Sequence, residues 1–206
     1  MASGISRLLR RLRYGRAVVV VSGLPRSGTS MTMKMLEAGG IEVTTDGQRE
    51  ADSDNPKGYY EDERVKNLGK AQDRTWLRKS RGRAIKIISF LLKDLPSDNS
   101  YKVIFMRRSI EEVLASQAKM LGNLGEEDGI EDQSMADMYA ENLRTTRFML
   151  GYRRQFDVLY VDHREALTTP AAVARSINEF LGGSLDETAM AGVVDPSLYR
   201  NRAESS

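Results

Sequence analysis

Residues 17–30 read AVVVVSGLPRSGTS, an unbroken run of mostly β-branched residues followed at once by a loop that carries two glycines. The run at 17–22 is apolar at almost every position, which is typical of a parallel strand covered by helices on both faces. From Thr29 onward apolar residues recur at helical spacing until Gly39 and Gly40, which end the pattern. The segment therefore predicts a central strand, a tight loop and a helix.

Strand and helix patterns continue to alternate along the chain. Strands are predicted at 84–89, 101–106 and 157–162, and helices at 62–78, from Ser109, at 133–154 and from Pro170 to Gly182. Ser109 and Glu112 form an S-x-x-E capping box, whereas 40–60 is a long polar stretch and 122–132 an acidic flexible loop. We predict an α/β protein: one P-loop-like domain over 17–206, with three α/β/α layers around a central parallel sheet, preceded by a basic segment at 1–16.

Composition excludes several chemistries. The 206 residues are 40% hydrophobic and 29% charged and include no cysteine, so disulfides, thiolate metal sites and a cysteine nucleophile are excluded. The net charge is +2, but five positive charges precede the first strand, so the positive charge is concentrated at that end. They are carried by Arg7, Arg10, Arg11, Arg13 and Arg16.

This distribution of charge bears on partners and location. Residues 5–16 are predicted to be either a solvated helix or a short amphipathic helix that makes weak contact with an anionic membrane surface. No nucleic-acid partner is expected, since the positive charge is confined to the N-terminal segment and is not interleaved with aromatic residues. The apolar run at 17–21 is too short for the core of a secretory signal, so a cytoplasmic location is expected.

The loop between the first strand and the first helix predicts an anion site. A helix that follows a buried strand points backbone N–H groups and the positive end of its dipole at one place. The glycines at 23 and 28 match half of the Walker A pattern G-x-x-x-x-G-K-[ST], but Thr29 stands where that pattern has lysine, and Arg26 supplies the cation earlier. The missing lysine disfavours phosphoryl transfer from a magnesium nucleotide.

The segment Pro25-Arg26-Ser27-Gly28-Thr29-Ser30 resembles the 5′-phosphosulfate loop, P-[KR]-S-G-T-[ST], of sulfotransferases that use 3′-phosphoadenosine 5′-phosphosulfate (PAPS). Arg108 and Ser116, eight residues apart at a strand end and on the next helix, resemble the 3′-phosphate element of that family. Successive side chains of an extended segment point in opposite directions, and the eight-residue spacing selects Arg108 rather than Arg107. The resemblance extends from Val18 to about Leu181 and includes NPKGYYE at 55–61 and DVLYVDHREALTTP at 157–170.

The resemblance implies metal-independent, in-line transfer of a sulfuryl group from PAPS to a hydroxyl or amine of a small-molecule acceptor, leaving adenosine 3′,5′-bisphosphate. It assigns donor binding to the loop, to Arg108 and Ser116, and to His163 in an adenine-side or structural role. It implies catalytic roles for Arg26 and Lys86, and Glu61 is the candidate catalytic base for the reason given next. The donor-binding loop residues are Pro25, Arg26, Ser27, Gly28, Thr29 and Ser30.

The sequence departs from the family pattern at the base. Ile88 stands where many members have a catalytic histidine two residues after the strand lysine, so a carboxylate is the expected base. Glu61 is the first choice, with Glu50 and Asp54 as weaker options. Lys57 is a further candidate cation for the sulfate.

A second departure concerns the nucleotide. The family's G-x-x-G-x-W-K segment is not found, and Arg200 and Arg202 are candidates to replace its cations. Two other functions stay open from the residues alone: a P-loop nucleoside or small-molecule kinase, and a non-catalytic nucleotide-binding module. The acceptor and the oligomeric state are also left open.

Overall fold

The computed structural model describes residues 13–45, 60–124 and 132–195. Two 3₁₀ segments, Thr75–Ser80 and Ser89–Asp94, flank the third strand. The strands are β1 (Val18–Gly23), β2 (Val43–Thr44), β3 (Ala84–Lys86), β4 (Tyr101–Arg107) and β5 (Phe156–Asp162). The helices are α1 (Thr29–Ala38), α2 (Glu63–Lys66), α3 (Ile110–Leu124), α4 (Asp132–Tyr152), α5 (His163–Thr168), α6 (Pro170–Leu181) and α7 (Glu187–Gly192).

The five strands form one parallel sheet in the order β2-β3-β1-β4-β5, with helices on both faces. Val19 of β1 lies opposite Ala84 of β3 on one side and Lys102 of β4 on the other. This is the predicted three-layer α/β/α fold. Because β1 is central, the loop that follows it emerges between the ends of β3 and β4, at the sheet edge where open parallel sheets bind ligands.

The two faces of the sheet carry separate cores, which explains the unbroken apolar run of β1. Val18 and Val20 pack on one face with residues of the 3₁₀ segments and α4, whereas Val19 and Val21 pack on the other with α1, α6 and α7. A third, smaller cluster joins Leu24 of the loop to α3 and α4. The loop is therefore anchored to the helical layer as well as to the sheet.

The predicted helix at 62–78 is wrong. Only α2 is α-helical there; it ends at Lys66, and a 3₁₀ segment begins at Thr75. Asp73 explains why the α-helix does not continue to Thr75. Its side chain accepts a hydrogen bond from the Thr75 N–H at 2.8 Å and so competes with helical backbone pairing. The side chain of Arg74 donates to the Leu68 carbonyl at 2.8 Å and stabilises the turn between them.

Other differences are smaller. The strand predicted at 84–89 stops at Lys86, because the chain turns into a 3₁₀ segment that Ser89 ties to Asn142 of α4 at 2.6 Å. Three short elements were not predicted, since each is too short for its periodicity to be recognised in the sequence. They are β2, α5 and α7.

The remaining predicted elements agree with the structure to within a few residues. One of the two hydrogen bonds of the predicted capping box is present: Ser109 Oγ accepts from the Glu112 N–H at 3.2 Å at the start of α3. Across the described ranges, no helix combines the length and apolar character needed to cross a bilayer. Several predicted residues lie outside those ranges. They are residues 5–12 of the basic segment, Glu50, Asp54, Lys57, Arg200 and Arg202.

Candidate functional site

The loop from Gly23 to Gly28 closes on itself before α1 begins. The Ser27 hydroxyl and the Ser27 N–H both donate to the Leu24 carbonyl, at 2.7 and 3.3 Å. Gly28 is the N-cap of α1 and has no side chain that could accept from the first-turn amides. Those N–H groups and the dipole of this ten-residue helix are thus directed at any anion placed above the loop.

Two backbone features hold the loop in this shape. Gly23 has φ +151°, and a Cβ there would lie 2.4 Å from Ser27 Oγ and 2.7 Å from the Met106 carbonyl oxygen, so only glycine fits. Arg26 has φ +63°, the one positive value at a non-glycine residue in the described ranges. A left-handed arginine costs roughly 1–3 kcal/mol, and such strain is concentrated at ligand sites.

Arg26 connects the loop to the second predicted anion element. Its Nε donates to Ser116 Oγ of α3 at 3.2 Å, although the two residues are 90 positions apart. Arg108, at the end of β4, donates from Nη1 to the Arg26 carbonyl oxygen at 2.8 Å. The structure therefore brings Arg26, Arg108 and Ser116 together at one point.

Arg108 is held in place by a carboxylate. Its Nε donates to Glu112 Oε2 at 2.9 Å, and the side chains of Arg108 and Glu112 are only 8% and 10% exposed. The neighbouring Arg107 lies beside β5 instead, with Nη2 3.9 Å from Asp162 Oδ2 and its guanidinium 6.0 Å from the centre of the Tyr160 ring. Sequence analysis missed the positioning role of Glu112, because its place in the capping box accounted for it already. The four-residue spacing from Arg108 was the available signal.

A second group of charges lies on the opposite side of the loop. Lys86, at the end of β3, places Nζ 3.2 Å from Glu61 Oε1 and 3.5 Å from Ser30 Oγ in the first turn of α1. Both side chains are largely buried, at 10% exposed for Lys86 and 25% for Glu61. The structure thus brings the three predicted residues Glu61, Lys86 and Ser30 together beside the phosphate loop.

The backbone around Glu61 is tied to the sheet and to α1. Thr45, directly after β2, donates to the Glu61 carbonyl at 2.9 Å. The Tyr60 hydroxyl donates to Glu37 Oε2 of α1 at 2.6 Å. Burial and the adjacent Glu37 carboxylate raise the pKa of Tyr60, so it stays protonated and keeps donating. These two contacts, which sequence analysis did not predict, hold Glu61 next to Lys86.

His163 lies beneath the loop. It is 8% exposed at the start of α5, and its Cδ2 lies 2.6 Å from where a Cβ on Gly28 would be. Burial lowers the pKa of His163 to about 4, and the positive charge of Arg108 adds to this effect. A neutral ring packed against Gly28 supports the loop, and both predicted roles of His163, structural and on the adenine side, stay predictions.

We expect protein stability to depend on pH through His163. The folded-state pKa is below the ordinary value, so between pH 6.5 and about 4 the unfolded chain binds a proton that the folded chain excludes, and stability falls as the pH falls. From pH 7 to pH 5 this group alone should remove about 2 kcal/mol from the free energy of unfolding. Urea unfolding at the two pH values, on the wild type and on His163→Gln, measures it. Equal losses in both proteins would contradict the assignment.

A cavity of about 290 Å³ opens next to Arg108 and is covered by α4. Ser27 of the loop and Tyr160 of β5 line it, together with apolar residues of β4 and α4. It lies on the β4 and β5 side of the loop, whereas Lys86 and Glu61 lie on the β3 side. The site therefore has two distinct halves with the phosphate loop between them.

No protein-family model and no curated protein sequence matches the chain. Among solved structures, the sulfotransferase domain from the Synechococcus PCC 7002 olefin synthase aligns over 93% of this chain and 90% of that chain, with a TM-score of 0.56 and 15% identity. The sulfotransferase domain from the curacin biosynthetic pathway aligns over 93% of each chain, with a TM-score of 0.50 and 12% identity. The chain has the fold of these sulfotransferase domains.

Proposed function

We propose that this protein is a sulfotransferase that moves a sulfuryl group from PAPS to a hydroxyl or amine of a small-molecule acceptor. The observation that carries the proposal is the contact of Arg26 with Ser116 and Arg108, at 3.2 and 2.8 Å. Two anion-binding elements far apart in the chain adjoin in space. A nucleoside with anionic 3′ and 5′ substituents carries two anionic groups on one small body and can contact both elements.

The residues fit such a donor in both chemistry and position. Cations lie at the ends of β3 and β4, on either side of the loop after β1, and neighbouring parallel strands are about 4.8 Å apart. Lys86 and Arg108 thus lie on strands roughly 10 Å apart, a distance of the order of an adenosine with its two substituents. Arginine suits the phosphate end because its planar fork pairs with two oxygens at once.

The residues around the loop have complementary roles in the transfer. When bound, PAPS supplies the sulfuryl group and a bisphosphate leaving group. Arg26 and the first-turn amides of α1 stabilise the negative charge that develops on the bridging oxygen, and Lys86 with Ser30 holds the sulfuryl oxygens. Because these cations come from the chain, they can provide the charge stabilisation that a metal ion provides in phosphoryl transfer.

Glu61 is the base in this proposal. It lies beside Lys86, and in this proposal the acceptor approaches sulfur from that side of the loop, in line with the leaving group. Its carboxylate accepts the proton from the acceptor oxygen or nitrogen as the new bond to sulfur forms. The salt bridge to Lys86 holds the carboxylate in position before the donor binds.

Binding calorimetry tests the proposal directly. We expect the protein to bind adenosine 3′,5′-bisphosphate without magnesium and to bind ATP with magnesium much more weakly. Transfer of ³⁵S-labelled sulfate from PAPS to a panel of phenols, alcohols and amines then tests catalysis. Preference for ATP with magnesium would support the kinase alternative, and tight bisphosphate binding without transfer to any acceptor would support a non-catalytic nucleotide-binding module.

A further inference from the structure

The cavity beneath α4 is lined by both apolar and positively charged residues. Phe105 of β4 and Leu143 and Leu150 of α4 supply apolar walls, and Arg107, Arg108 and Arg147 also line it. Its volume of about 290 Å³ is at the lower end of the range for small-molecule pockets. Apolar walls with a few convergent cations suit a flat or hydrophobic ligand that carries an anion.

One of the three arginines is a built part of the fold. Arg108 is over nine-tenths buried, is held by Glu112 and reaches the carbonyl oxygen of Arg26. The cavity is therefore continuous with the phosphate loop and not a separate surface depression. An anion bound near Arg108 inside the cavity would be the same anion that the second predicted element binds.

Arg147 is the residue of this cavity that no sequence motif explains. On α4 it follows Leu143 by four residues and precedes Leu150 by three, so the three side chains share the helix face that lines the cavity. Within the described residues Arg147 forms no ion pair or hydrogen bond, whereas Arg144 of the same helix is paired with Glu141 at 2.8 Å. An uncompensated cation at the mouth of an apolar cavity is placed to meet a ligand's negative charge.

We propose that Arg147 is a further donor-binding residue, which contacts the phosphate on the 3′ oxygen of the nucleoside from the α4 side while Arg108 contacts it from the β4 side. This inference rests on the proposed function. It assigns the 3′ end, not the sulfuryl end, to the cavity, because Lys86 and Glu61 lie across the loop. The long helix α4 then supplies part of the nucleotide-binding site, together with the end of β4 and helix α3.

Calorimetry with three nucleotides tests the role of Arg147 separately from catalysis. The probes are adenosine 3′,5′-bisphosphate, adenosine 5′-phosphate and adenosine 3′-phosphate. For Arg147→Ala we expect about a tenfold loss of affinity for the two ligands with a 3′-phosphate, since one charge-assisted contact is removed at a partly exposed site. Affinity for adenosine 5′-phosphate should stay within about twofold, because that ligand has no 3′-phosphate.

Arg144→Ala is the matched control. It removes one positive charge from the same helix, at a residue that pairs with Glu141 and does not line the cavity. It should bind all three nucleotides as the wild type does. Equal loss for all three ligands in Arg147→Ala, or no loss in any, would overturn the inference while leaving the proposed function intact. Failure of the wild type to prefer the bisphosphate over adenosine 5′-phosphate would instead overturn the proposed function, and the inference with it.

Discussion

Arg26→Ala is expected to lower the rate of sulfuryl transfer by about 10²–10³, the usual effect of removing one donor that stabilises developing negative charge. The contact with Ser116 shows that the guanidinium reaches the junction of the two anion elements. Alanine keeps a Cβ at the left-handed backbone position, so the strain at φ +63° is unchanged. The effect should therefore fall on kcat and not on folding.

Single-turnover transfer from labelled PAPS gives the rate, and calorimetry with the bisphosphate gives donor binding. Arg26→Lys should retain more activity than Arg26→Ala, because it preserves the charge but not the planar fork. Arg175→Ala is a charge-matched control, since that exposed side chain on α6 lies 3.7 Å from Glu187 and outside the site. A wild-type transfer rate in Arg26→Ala would exclude the proposed role of the loop cation.

Glu61→Gln is expected to lower kcat by about 10²–10⁴, because an amide cannot accept the proton of the acceptor. Bisphosphate binding should be unchanged, since Arg108 and Ser116 lie on the other side of the loop. Measuring kcat and bisphosphate affinity in both proteins tests this point.

Two further variants separate a base from a residue that only positions Lys86. Lys86→Met should lower kcat, and adding Glu61→Gln to that variant should lower kcat again, because a base acts on the acceptor without Lys86. Glu63→Gln is the matched control, as this carboxylate lies two residues away and pairs with Lys66 at 2.5 Å in an exposed position. If Glu61→Gln had no further effect in the Lys86→Met background, Glu61 would only position Lys86 and the base would be another group.

The features of the site that were predictable from the sequence are those that depend on residues close together in the chain. The strand, loop and helix of residues 17–38 were predictable, because each follows from local periodicity and from the glycines that interrupt it. Alternation along an extended segment implied that only one of Arg107 and Arg108 reaches the ligand, and the eight-residue spacing to Ser116 in the family resemblance selected Arg108. The helix predicted at 62–78 failed for an equally local reason, since the Asp73 side chain pairs with the backbone two residues on.

The sequence alone determined which residues carry the charge and at which strand ends they occur, because chain direction and side-chain alternation are local properties. Only the tertiary structure decided which of them meet. The contacts of Arg26 with Ser116, of Lys86 with Glu61, and the cavity shared by Arg108 and Arg147 all depend on strand order and on how α3 and α4 cross back over the sheet. Those are properties of long-range packing, which many sequences of similar pattern could satisfy in different ways.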